Sequence, residues 1–358
     1  MGVFSVALLD RLARAAGVDV VAYAASWRGR DRLPGLVPPG VGVARRPMAA
    51  RPLRAAWRRL DRPAIETWTG PVDVVHGPNF VVPPTRRAVR LVTVHDLTAL
   101  RFPELCTADV LQWPDLLRRA LRGGATVHVV SQSVGDELAE AFALPPDRLV
   151  VVPNGVDEVE DAPAGVGRAL AGGERYVLAL GTLEPRKDLP ALVRAFDALA
   201  ATDPELRLVL AGADGWGADA VHGAIDAAAH RDRIRCTGWV GGVERAALLR
   251  EAAALAYPSR YEGFGLPPLE AMSVGVPVVA TAVGAIPEVV GDAADLVALG
   301  DEDALAEALL RVLDDTAHRE ALVRRGHDRV ARYSWDACAE GILATYRRLA
   351  NGAGGSAP

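Results

Sequence analysis

The sequence predicts an α/β protein built from two domains. Its 358 residues are enough for two domains of ordinary size. Only 5% of the residues are aromatic, while Ala, Val, Leu and Gly are abundant, a composition that favours α/β over all-β folds. Short apolar segments of strand length alternate with segments of helical periodicity in both halves. We therefore expect a parallel sheet flanked by helices in each half.

Basic residues are unevenly distributed, although the net charge is only −5. Residues 1–60 contain eleven Arg against three Asp, so the rest of the chain is acidic. The overall charge argues against a nucleic-acid-binding protein. All 40 basic residues are Arg except Lys187. Because this Lys escapes a strong Arg bias, it is a candidate functional residue.

Cysteine usage and hydropathy indicate a cytoplasmic protein. Cys106, Cys236 and Cys338 are widely separated, have no metal-binding spacing and fit a reducing compartment. No apolar run approaches the ~20 residues of a membrane span. The first residues also lack the pattern of a secretory signal.

The first half opens on a helix. Residues 4–16 have the periodicity of an amphipathic helix, and residues 18–23 form the first predicted strand. A doubly wound domain normally opens on a strand that turns into its first helix through glycine. Only Gly2-Val3 resembles such a turn, so we expect that first strand to be absent from this chain.

An Arg-rich segment, residues 45–62, contains a short predicted helix at residues 51–60 with Leu53, Trp57 and Leu60. This apolar stripe fits a helix that packs on the core and leaves its arginines solvated. It also fits a basic amphipathic helix that docks on an anionic membrane surface.

Two predicted buried strands, residues 72–77 and 89–95, carry histidines near their carboxyl ends. Ligands of open α/β sheets bind beyond the carboxyl ends of the strands. His95 and the adjacent Asp96 are therefore candidates for handling sugar hydroxyls or a leaving group. His76 fits either a ligand site or a structural turn.

Two further strands complete the first half. Residues 126–130 contain His128, which we expect to be a satisfied core residue. Residues 149–155 end in an Asn-Gly turn. The acidic and then Gly/Ala-rich segment 158–173 follows, and we expect it to be an interdomain linker.

The second half restarts with a strand at residues 176–180 and the loop 181–188. Gly181 permits a tight turn at the end of this strand. A guanidinium forks onto phosphate oxygens and an ammonium adds a compact charge. Arg186 and Lys187 are therefore candidates for binding a diphosphate and stabilising it as it leaves. The alternative is an exposed basic pair in a loop.

A second candidate segment, residues 257–277, is predicted as strand, glycine loop, helix, turn and strand. The glycines after Glu262 let the backbone approach a ligand closely, and the two following prolines suit the first turn of a helix. The positive helix end beside Glu262 and Glu270 fits a ligand with phosphate and hydroxyl groups, such as a nucleotide sugar. Alternatively, the two carboxylates are solvated or cap the helix.

The remaining pattern predicts three helices, residues 303–313, 319–333 and 335–349, and a disordered tail at residues 351–358. Asp301-Glu-Asp303 has the spacing of a metal-binding motif, but it precedes a helix, and N-capping accounts for it better. We predict no metal site.

Three motifs in order resemble retaining glycosyltransferases of the GT-B fold, family 4. Glu262-Gly-Phe-Gly-Leu-Pro-Pro-Leu-Glu270 is similar to the family's Glu-x7-Glu motif, and Gly181-Thr-Leu-Glu-Pro-Arg-Lys187 is similar to its donor-diphosphate loop. Thr93-Val-His-Asp-Leu97 with Arg101-Phe-Pro-Glu104 is similar to its N-terminal catalytic segment. The resemblance covers nearly the whole chain.

The resemblance implies two Rossmann-like, doubly wound domains that face each other across a cleft. Residues 1–152 would bind the acceptor and residues 153–333 the nucleotide sugar. A C-terminal helix, residues 334–350, would pack back on the first domain.

The resemblance also assigns residues to each part of the donor. Those expected at the diphosphate are Gly181, Arg186, Lys187, Gly263, Phe264, Gly265 and Leu266. Glu262 would contact the hydroxyls of the donor sugar, and His95 with Asp96 would lie near that sugar. Glu270 would contact the ribose, and Val240 would lie near the base.

The implied reaction is metal-independent transfer of a hexose, with retention, from a nucleotide-diphosphate sugar to a glycan or lipid-linked acceptor in polysaccharide biosynthesis. No cofactor is expected. The motifs are most similar to those of mannosyltransferases that use GDP-mannose, although users of UDP- and dTDP-sugars share them. Two alternatives remain: a nucleotide-sugar-binding protein whose shortened N-terminus impairs turnover, and a nucleotide-sugar epimerase. The Arg-rich segment 45–62 suggests peripheral contact with the inner face of the membrane.

Overall fold

The computed structural model describes residues 2–26, 31–44, 46 and 48–354, and the chain divides into two compact units. The first unit comprises Met1–Gly155 and Ser334–Pro358, and the second comprises Val156–Tyr333. Predicted features at residues 1, 27–30, 45, 47 and 355–358 lie outside the described residues.

Strands and helices alternate along both units. The strands are β1 (Val21–Ala22), β2 (Gly42–Val43), β3 (Val74–Gly77), β4 (Val89–Val94), β5 (Thr126–Val129), β6 (Leu149–Val151), β7 (Arg175–Leu180), β8 (Leu206–Ala211), β9 (Ile234–Gly238), β10 (Ala254–Tyr257), β11 (Val278–Thr281) and β12 (Asp295–Val297). The α-helices are α1 (Gly2–Leu12), α2 (Ala50–Trp57), α3 (Glu66–Thr69), α4 (Thr98–Arg101), α5 (Trp113–Arg122), α6 (Gln132–Phe142), α7 (Val166–Ala171), α8 (Leu189–Thr202), α9 (Ala218–Ala227), α10 (Gly242–Glu251), α11 (Leu266–Ser273), α12 (Ile286–Val290), α13 (Glu302–Asp314), α14 (Thr316–Val330) and α15 (Trp335–Gly354).

The first unit contains two sheets, and every described strand pairing in it is parallel. One sheet has the order β3-β4-β5-β6, and the other consists of β1 and β2. The strand predicted at residues 18–23 is shorter than expected, because only Val21 and Ala22 form ladder pairs with β2.

The last helix of the chain, α15, belongs to the first unit, as the sequence predicts. Its residues Trp335 and Ile342 are buried in one cluster with Phe4 and Leu8 of α1. Arg11 of α1 also donates from Nε to an Asp336 carboxylate oxygen at 2.6 Å. The helix runs to Gly354, so its last turn occupies part of the tail that we predicted to be disordered.

Helix α2 buries its apolar side, which supports the core-packed interpretation of the basic segment. Leu53 and Trp57 are 8% and 3% exposed, and Nε1 of Trp57 donates to the Pro63 carbonyl at 3.0 Å. Leu60, beyond the end of the helix, is exposed. The arginines at positions 51 and 59 are exposed, and the exposed Arg58 donates to an Asp115 carboxylate oxygen at 3.3 Å.

The predicted linker at residues 158–173 is wrong in its second part, because α7 forms there. Glu251, at the end of α10, accepts hydrogen bonds from the backbone N–H groups of Gly165 and Arg168 at 2.5 and 2.8 Å. These two hydrogen bonds satisfy backbone donors at the start of α7. The periodicity of the sequence alone did not indicate this helix.

The second unit is one six-stranded parallel sheet with the order β12-β11-β10-β7-β8-β9. Strand β7 is the first strand of this unit but lies inside the sheet, because the chain adds β8 and β9 on one side of it and β10 to β12 on the other. The strand order therefore reverses between β7 and β10. Open α/β sheets bind ligands at such a switch point, outside the carboxyl ends of the strands.

Candidate active site

The loops after β7 and β10 place the predicted charged residues at this switch point. The first loop carries Arg186 and Lys187 in a short 3-10 turn, Pro185–Lys187, that precedes α8. The second carries Glu262 ahead of α11. The backbone N–H of Arg260 donates to the Arg186 carbonyl at 2.8 Å, so the two loops are hydrogen-bonded to each other.

Glu262 is the centre of the cluster. Its side chain is 8% exposed, and both carboxylate oxygens have cationic partners. Lys187 Nζ lies 2.7 Å from Oε1, and Arg186 Nη1 lies 2.6 Å from Oε2. The buried Ser259 hydroxyl donates to Oε1 at 2.7 Å. The structure thus brings the adjacent Arg186 and Lys187 together with Glu262, which lies 75 positions after Lys187 in the sequence.

Glu262 remains ionised in this environment. Burial alone would raise the pKa of its carboxyl. The charges of Lys187 and Arg186, together with hydrogen bonds from Lys187 and Ser259, outweigh burial and lower the pKa to about 2. Glu262 therefore acts as a fixed negative charge rather than as a proton donor at neutral pH.

Both cations have further contacts that fix their positions. Lys187 Nζ donates to the Tyr257 hydroxyl at 2.9 Å and lies 4.5 Å from the centre of that ring. Arg186 donates to the Tyr261 carbonyl at 3.1 Å and to a Glu184 carboxylate oxygen at 2.6 Å. The side chains of Arg186 and Lys187 are 19% and 12% exposed, so the pair is not a solvated basic loop.

The glycine loop that follows Glu262 is held against the segment 284–286. Gly265 has φ +113° and is the N-cap of α11. A Cβ atom at Gly284, whose φ is +50°, would lie 2.3 Å from the Glu262 carbonyl oxygen. That carbonyl accepts from the backbone N–H of Ala285 at 2.9 Å. Close backbone packing therefore requires glycine at position 284.

The start of α11 offers fewer backbone donors than the sequence suggested. Pro267 and Pro268 occupy two of its first three positions, and neither has an N–H. The backbone N–H groups at this helix end are therefore those of Gly265 and Leu266. Phe264 is buried and packs edge-on against Tyr333 at 5.5 Å between ring centres.

Glu270 has a partner that the sequence did not reveal. Its carboxylate forms an ion pair with Arg245 of α10. Arg245 and Glu270 come from two helices that meet only in the folded unit, and no local motif marks Arg245. The Glu270 side chain is 22% exposed and lies on α11, the helix that directly follows the glycine loop.

Val240 lies just after the carboxyl end of β9, next to Trp239. Trp239 is 77% exposed, the largest exposure among the large hydrophobic residues described as exposed. Val240 itself is partly buried. Both residues follow a strand at the same edge of the sheet as the two charged loops, because all strands of this sheet are parallel.

In the first unit, His95 and Asp96 follow β4 but have different partners. His95 Nε2 donates to the Pro78 carbonyl at 2.9 Å, which leaves Nδ1 as the acceptor of the neutral ring. Burial lowers the pKa of His95. Asp96 Oδ1 accepts from the Thr98 backbone N–H at 2.9 Å, at the start of α4. The two side chains are therefore not a hydrogen-bonded pair.

His76 and His128 are structural in this unit. His128 is fully buried, as predicted for a core residue, and its Nε2 donates to the Val152 carbonyl at 2.9 Å. Thr93 Oγ1 lies 2.9 Å from His128 Nδ1 and 2.6 Å from His76 Nε2. His76 Nδ1 lies 2.6 Å from the Tyr346 hydroxyl of α15. The network links three strands and the last helix.

The acidic triplet at residues 301–303 caps a helix. Asp301 Oδ1 accepts from the Ala304 backbone N–H at 2.9 Å, which confirms the predicted N-cap of α13. No helix in the part of the chain that the structure describes is both long enough and apolar enough to span a membrane.

Comparison with protein-family models gives two matches that together cover most of the chain. Residues 1–160 match the model described as Glycosyltransferase Family 4, and residues 167–329 match the model described as Glycosyl transferases group 1. The second match contains both charged loops of the candidate site.

Individual proteins give the same result. The chain is 34% identical, over 285 residues, to an O-antigen chain mannosyltransferase B of Escherichia coli, which covers 77% of this chain and 74% of that protein. It is 36% identical, over 211 residues, to a phosphatidyl-myo-inositol mannosyltransferase of Mycolicibacterium smegmatis, covering 57% of this chain and about half, 54%, of that protein.

A solved structure shares the fold at low identity. WaaG, a glycosyltransferase involved in lipopolysaccharide biosynthesis, superposes with a TM-score of 0.73 at 18% sequence identity. The match covers 95% of this chain and 94% of the WaaG chain.

Proposed function

Because this chain belongs to the family 4, group 1 glycosyltransferases and has their GT-B fold of two Rossmann-like domains, we propose that it transfers mannose from GDP-mannose, with retention of anomeric configuration. The acceptor in this proposal is a glycan or a lipid-linked glycan. The observation that carries the proposal is the buried carboxylate of Glu262 between Lys187 and Arg186 at the switch point of the second unit.

The cluster supports a role in donor binding because its charged groups are largely buried and held in fixed directions. Lys187 has three N–H donors, of which two are used by Tyr257 and Glu262, so the third is available to a phosphate oxygen. An ammonium held in place before the reaction stabilises the charge that develops on a departing diphosphate. With Lys187 and Arg186 in this role, the proposal needs no metal ion.

Glu262 supports two roles at once. As a fixed anion it holds both cations in position. A carboxylate has about four lone-pair sites, and Oε2, which accepts from Arg186, has capacity for a sugar hydroxyl. Its low pKa means that it stays an acceptor and does not protonate the leaving group at neutral pH.

The names of the relatives support mannose as the transferred sugar. The two relatives described above are both named as mannosyltransferases, and the name of the one from E. coli refers to an O-antigen chain. Glu270, held by Arg245, is the acceptor we propose for the ribose, and Val240, just after β9, is the residue we propose beside the base. His95, with its Nδ1 unprotonated in the neutral ring, is proposed near the transferred sugar.

Membrane contact, if the acceptor is lipid-linked, is proposed to be electrostatic. The apolar side of α2 is buried, so the exposed arginines at positions 51 and 59 are the groups that we propose for contact with anionic lipid headgroups. The proposed location is the cytoplasmic face, where the three free cysteines stay reduced. Flotation with vesicles of phosphatidylglycerol, compared with phosphatidylcholine and repeated at high salt, tests this contact.

A panel of nucleotide sugars tests the donor. Binding to the native state raises the melting temperature, so GDP and GDP-mannose should give larger shifts than UDP-glucose, UDP-N-acetylglucosamine or dTDP-rhamnose. Incubation of GDP-mannose with a glycan acceptor should then give a product whose anomeric signals show retention. A larger shift with a UDP- or dTDP-sugar would overturn the donor assignment, and an inverted product would overturn retention.

A further inference from the structure

Asp188, which directly follows Lys187, has a left-handed backbone with φ +46° and ψ +38°. It separates the 3-10 turn Pro185–Lys187 from α8, which begins at Leu189. Among residues with a Cβ atom, Asn and Asp visit this region most readily. A right-handed backbone at position 188 would continue the turn into α8. The conformation of Asp188 therefore sets the direction of the chain that carries Lys187.

The side chain of Asp188 does not cap α8, although Asp is common at this position. An N-cap residue normally has an extended backbone, and its side chain accepts from a backbone N–H two or three positions later. Pro190 has no N–H, and the N–H of Ala191 donates to the backbone carbonyl of Asp188 at 3.1 Å. The carboxylate makes no cap hydrogen bond and is directed elsewhere.

Its partner is Arg260, in the loop after β10. Arg260 Nε lies 3.2 Å from Oδ2 of Asp188. The backbone N–H of Arg260 also donates to the Arg186 carbonyl at 2.8 Å. Both chain neighbours of Lys187 are thus bonded to one residue of the opposite loop, and we call these two contacts the Arg260 clasp. Lys187 itself reaches Glu262 of that same loop.

The Arg260 clasp acts through geometry rather than through stability. The side chains of Asp188 and Arg260 are 18% and 48% exposed, and an ion pair at such exposure contributes little to the free energy of unfolding. The Lys187 ammonium, however, must meet Glu262 Oε1 at 2.7 Å and the Tyr257 hydroxyl at 2.9 Å. Because a lysine side chain is a flexible four-carbon stem, a fixed backbone limits the positions that its ammonium can take.

We propose that Asp188 is a positioning residue for the donor site. Its left-handed backbone and its part in the Arg260 clasp hold Lys187 toward Glu262 before any donor binds. The inference rests on the proposed function, in which Lys187 binds the donor diphosphate. It adds two requirements at position 188: the residue must tolerate a positive φ, and its side chain must meet Arg260.

The single lysine provides a direct probe. Protein grown with lysine that carries a carbon isotope label at Cε has one labelled side chain, because Lys187 is the only lysine in the sequence. Its Nζ lies 4.5 Å from the centre of the Tyr257 ring, and protons over the face of a ring resonate upfield of their position in free lysine. In the ligand-free protein, the signal of Asp188→Ala should move toward that of free lysine, and the signal of Asp188→Gly should move less. Equal positions of the two signals would overturn the proposal.

These two variants are a matched pair, because neither has a carboxylate and they differ only in the Cβ atom. Glycine adopts a positive φ without steric cost. The Kd for GDP should therefore rise about tenfold in Asp188→Ala and less in Asp188→Gly. If the wild type binds GDP and the two variants have equal Kd values, the positioning role fails. If the wild type does not bind GDP, the proposed function fails instead, and the lysine signal still decides whether Asp188 fixes Lys187.

A double-mutant cycle tests the Arg260 clasp and keeps the test open if Asp188→Ala does not fold. Asp188→Asn removes the charge but tolerates the left-handed backbone, and Arg260→Met removes the guanidinium but keeps the backbone N–H. Both variants break the same contact. Their effects on the lysine signal and on the Kd for GDP should therefore be smaller in the double variant than their sum. Strictly additive effects, or a wild-type lysine signal in both single variants, would overturn the clasp.

Discussion

Lys187 Nζ lies 2.7 Å from Glu262 Oε1, and this contact joins the two loops at the switch point of the second unit. Lys187 is the only lysine in the sequence. Its ammonium also packs on the Tyr257 ring, 4.5 Å from the ring centre. A guanidinium is larger and planar, so it cannot occupy this position with the same contacts. The geometry accounts for a lysine in a chain that otherwise uses arginine.

Lys187→Arg should lower kcat/KM for the donor by about 10-fold or more, although the charge is kept. The loss of one charge-assisted hydrogen bond costs about 1.5–3 kcal/mol, and 1.4 kcal/mol corresponds to tenfold. Steady-state kinetics of transfer from GDP-mannose measure this change in kcat/KM. Arg194→Lys, in the exposed pair with Glu302, is the matched control and should leave kcat/KM unchanged. Equal activity of Lys187→Arg and the wild type would contradict the fitted ammonium.

Glu262→Gln should destabilise the second unit as well as reduce transfer. Removal of one partner of a buried ion pair leaves charge uncompensated and costs about 3–5 kcal/mol. Denaturant unfolding followed by a probe in this unit measures the cost. Glu302→Gln removes the partner of an exposed pair and should cost no more than ~1 kcal/mol. If the two variants lost similar amounts of unfolding free energy, the buried ion pairs of Glu262 would stabilise the unit no more than an exposed pair does.

Gly284→Ala should reduce transfer without touching a charged group. The added Cβ would lie 2.3 Å from the Glu262 carbonyl oxygen, and φ at this position is +50°. The backbone of the Glu262 loop must therefore shift, and the carboxylate shifts with it. Gly223→Ala, in α9, is the control because a Cβ there meets nothing within 4 Å. We expect at least a tenfold fall in kcat for the first variant and none for the second.

Arg245→Met should raise the KM for the nucleotide sugar about tenfold with little change in kcat. Arg245 orients Glu270, which we propose binds the ribose, and this contact is the same in the ground state and the transition state. Arg324→Met, on the exposed side of α14, is the control. A change in kcat alone, with an unchanged KM, would be evidence against a ribose contact.

Acid should weaken the first unit through its buried histidines. Burial lowers the pKa of His76 to about 3 and that of His128 to about 4, from an ordinary value of 6.5. The folded state thus holds them neutral, while the unfolded state binds protons below pH 6.5. Stability is therefore complete above pH 6.5 and falls as the pH drops toward 4, by up to ~1.4 kcal/mol per pH unit for each proton.

Urea unfolding of the first unit between pH 7 and pH 4 checks this dependence. His128→Asn, which cannot titrate, should have a shallower decline than the wild type. His222→Asn, at an exposed position, should follow the wild type. If the free energy of unfolding fell equally with pH in all three proteins, His128 would not be a source of the acid sensitivity.

The sequence predicted the parts of the fold that depend on local pattern. The strand and glycine loop around Glu262, the N-cap Asp301 and the core position of His128 all follow from short-range rules. The loops with Lys187 and Glu262 could be placed on one sheet edge, because the carboxyl ends of parallel strands lie together.

What the sequence could not show are contacts made between distant segments. Arg245 pairs with Glu270 across two helices, and Glu251 caps α7 across more than 80 positions, so neither has a local signature. His95 and Asp96 are adjacent in sequence yet bond to Pro78 and Thr98. Adjacent residues on a turn can point to different partners, and only the fold decides which.

Titration calorimetry of GDP into the wild type and into Lys187→Met tests the central claim most directly. If Lys187 and Glu262 form the donor-diphosphate site, GDP binds the wild type and the Kd rises at least ~10-fold in the variant, which loses a charge-assisted hydrogen bond. An unchanged Kd in a Lys187→Met protein that melts at the wild-type temperature would contradict the claim.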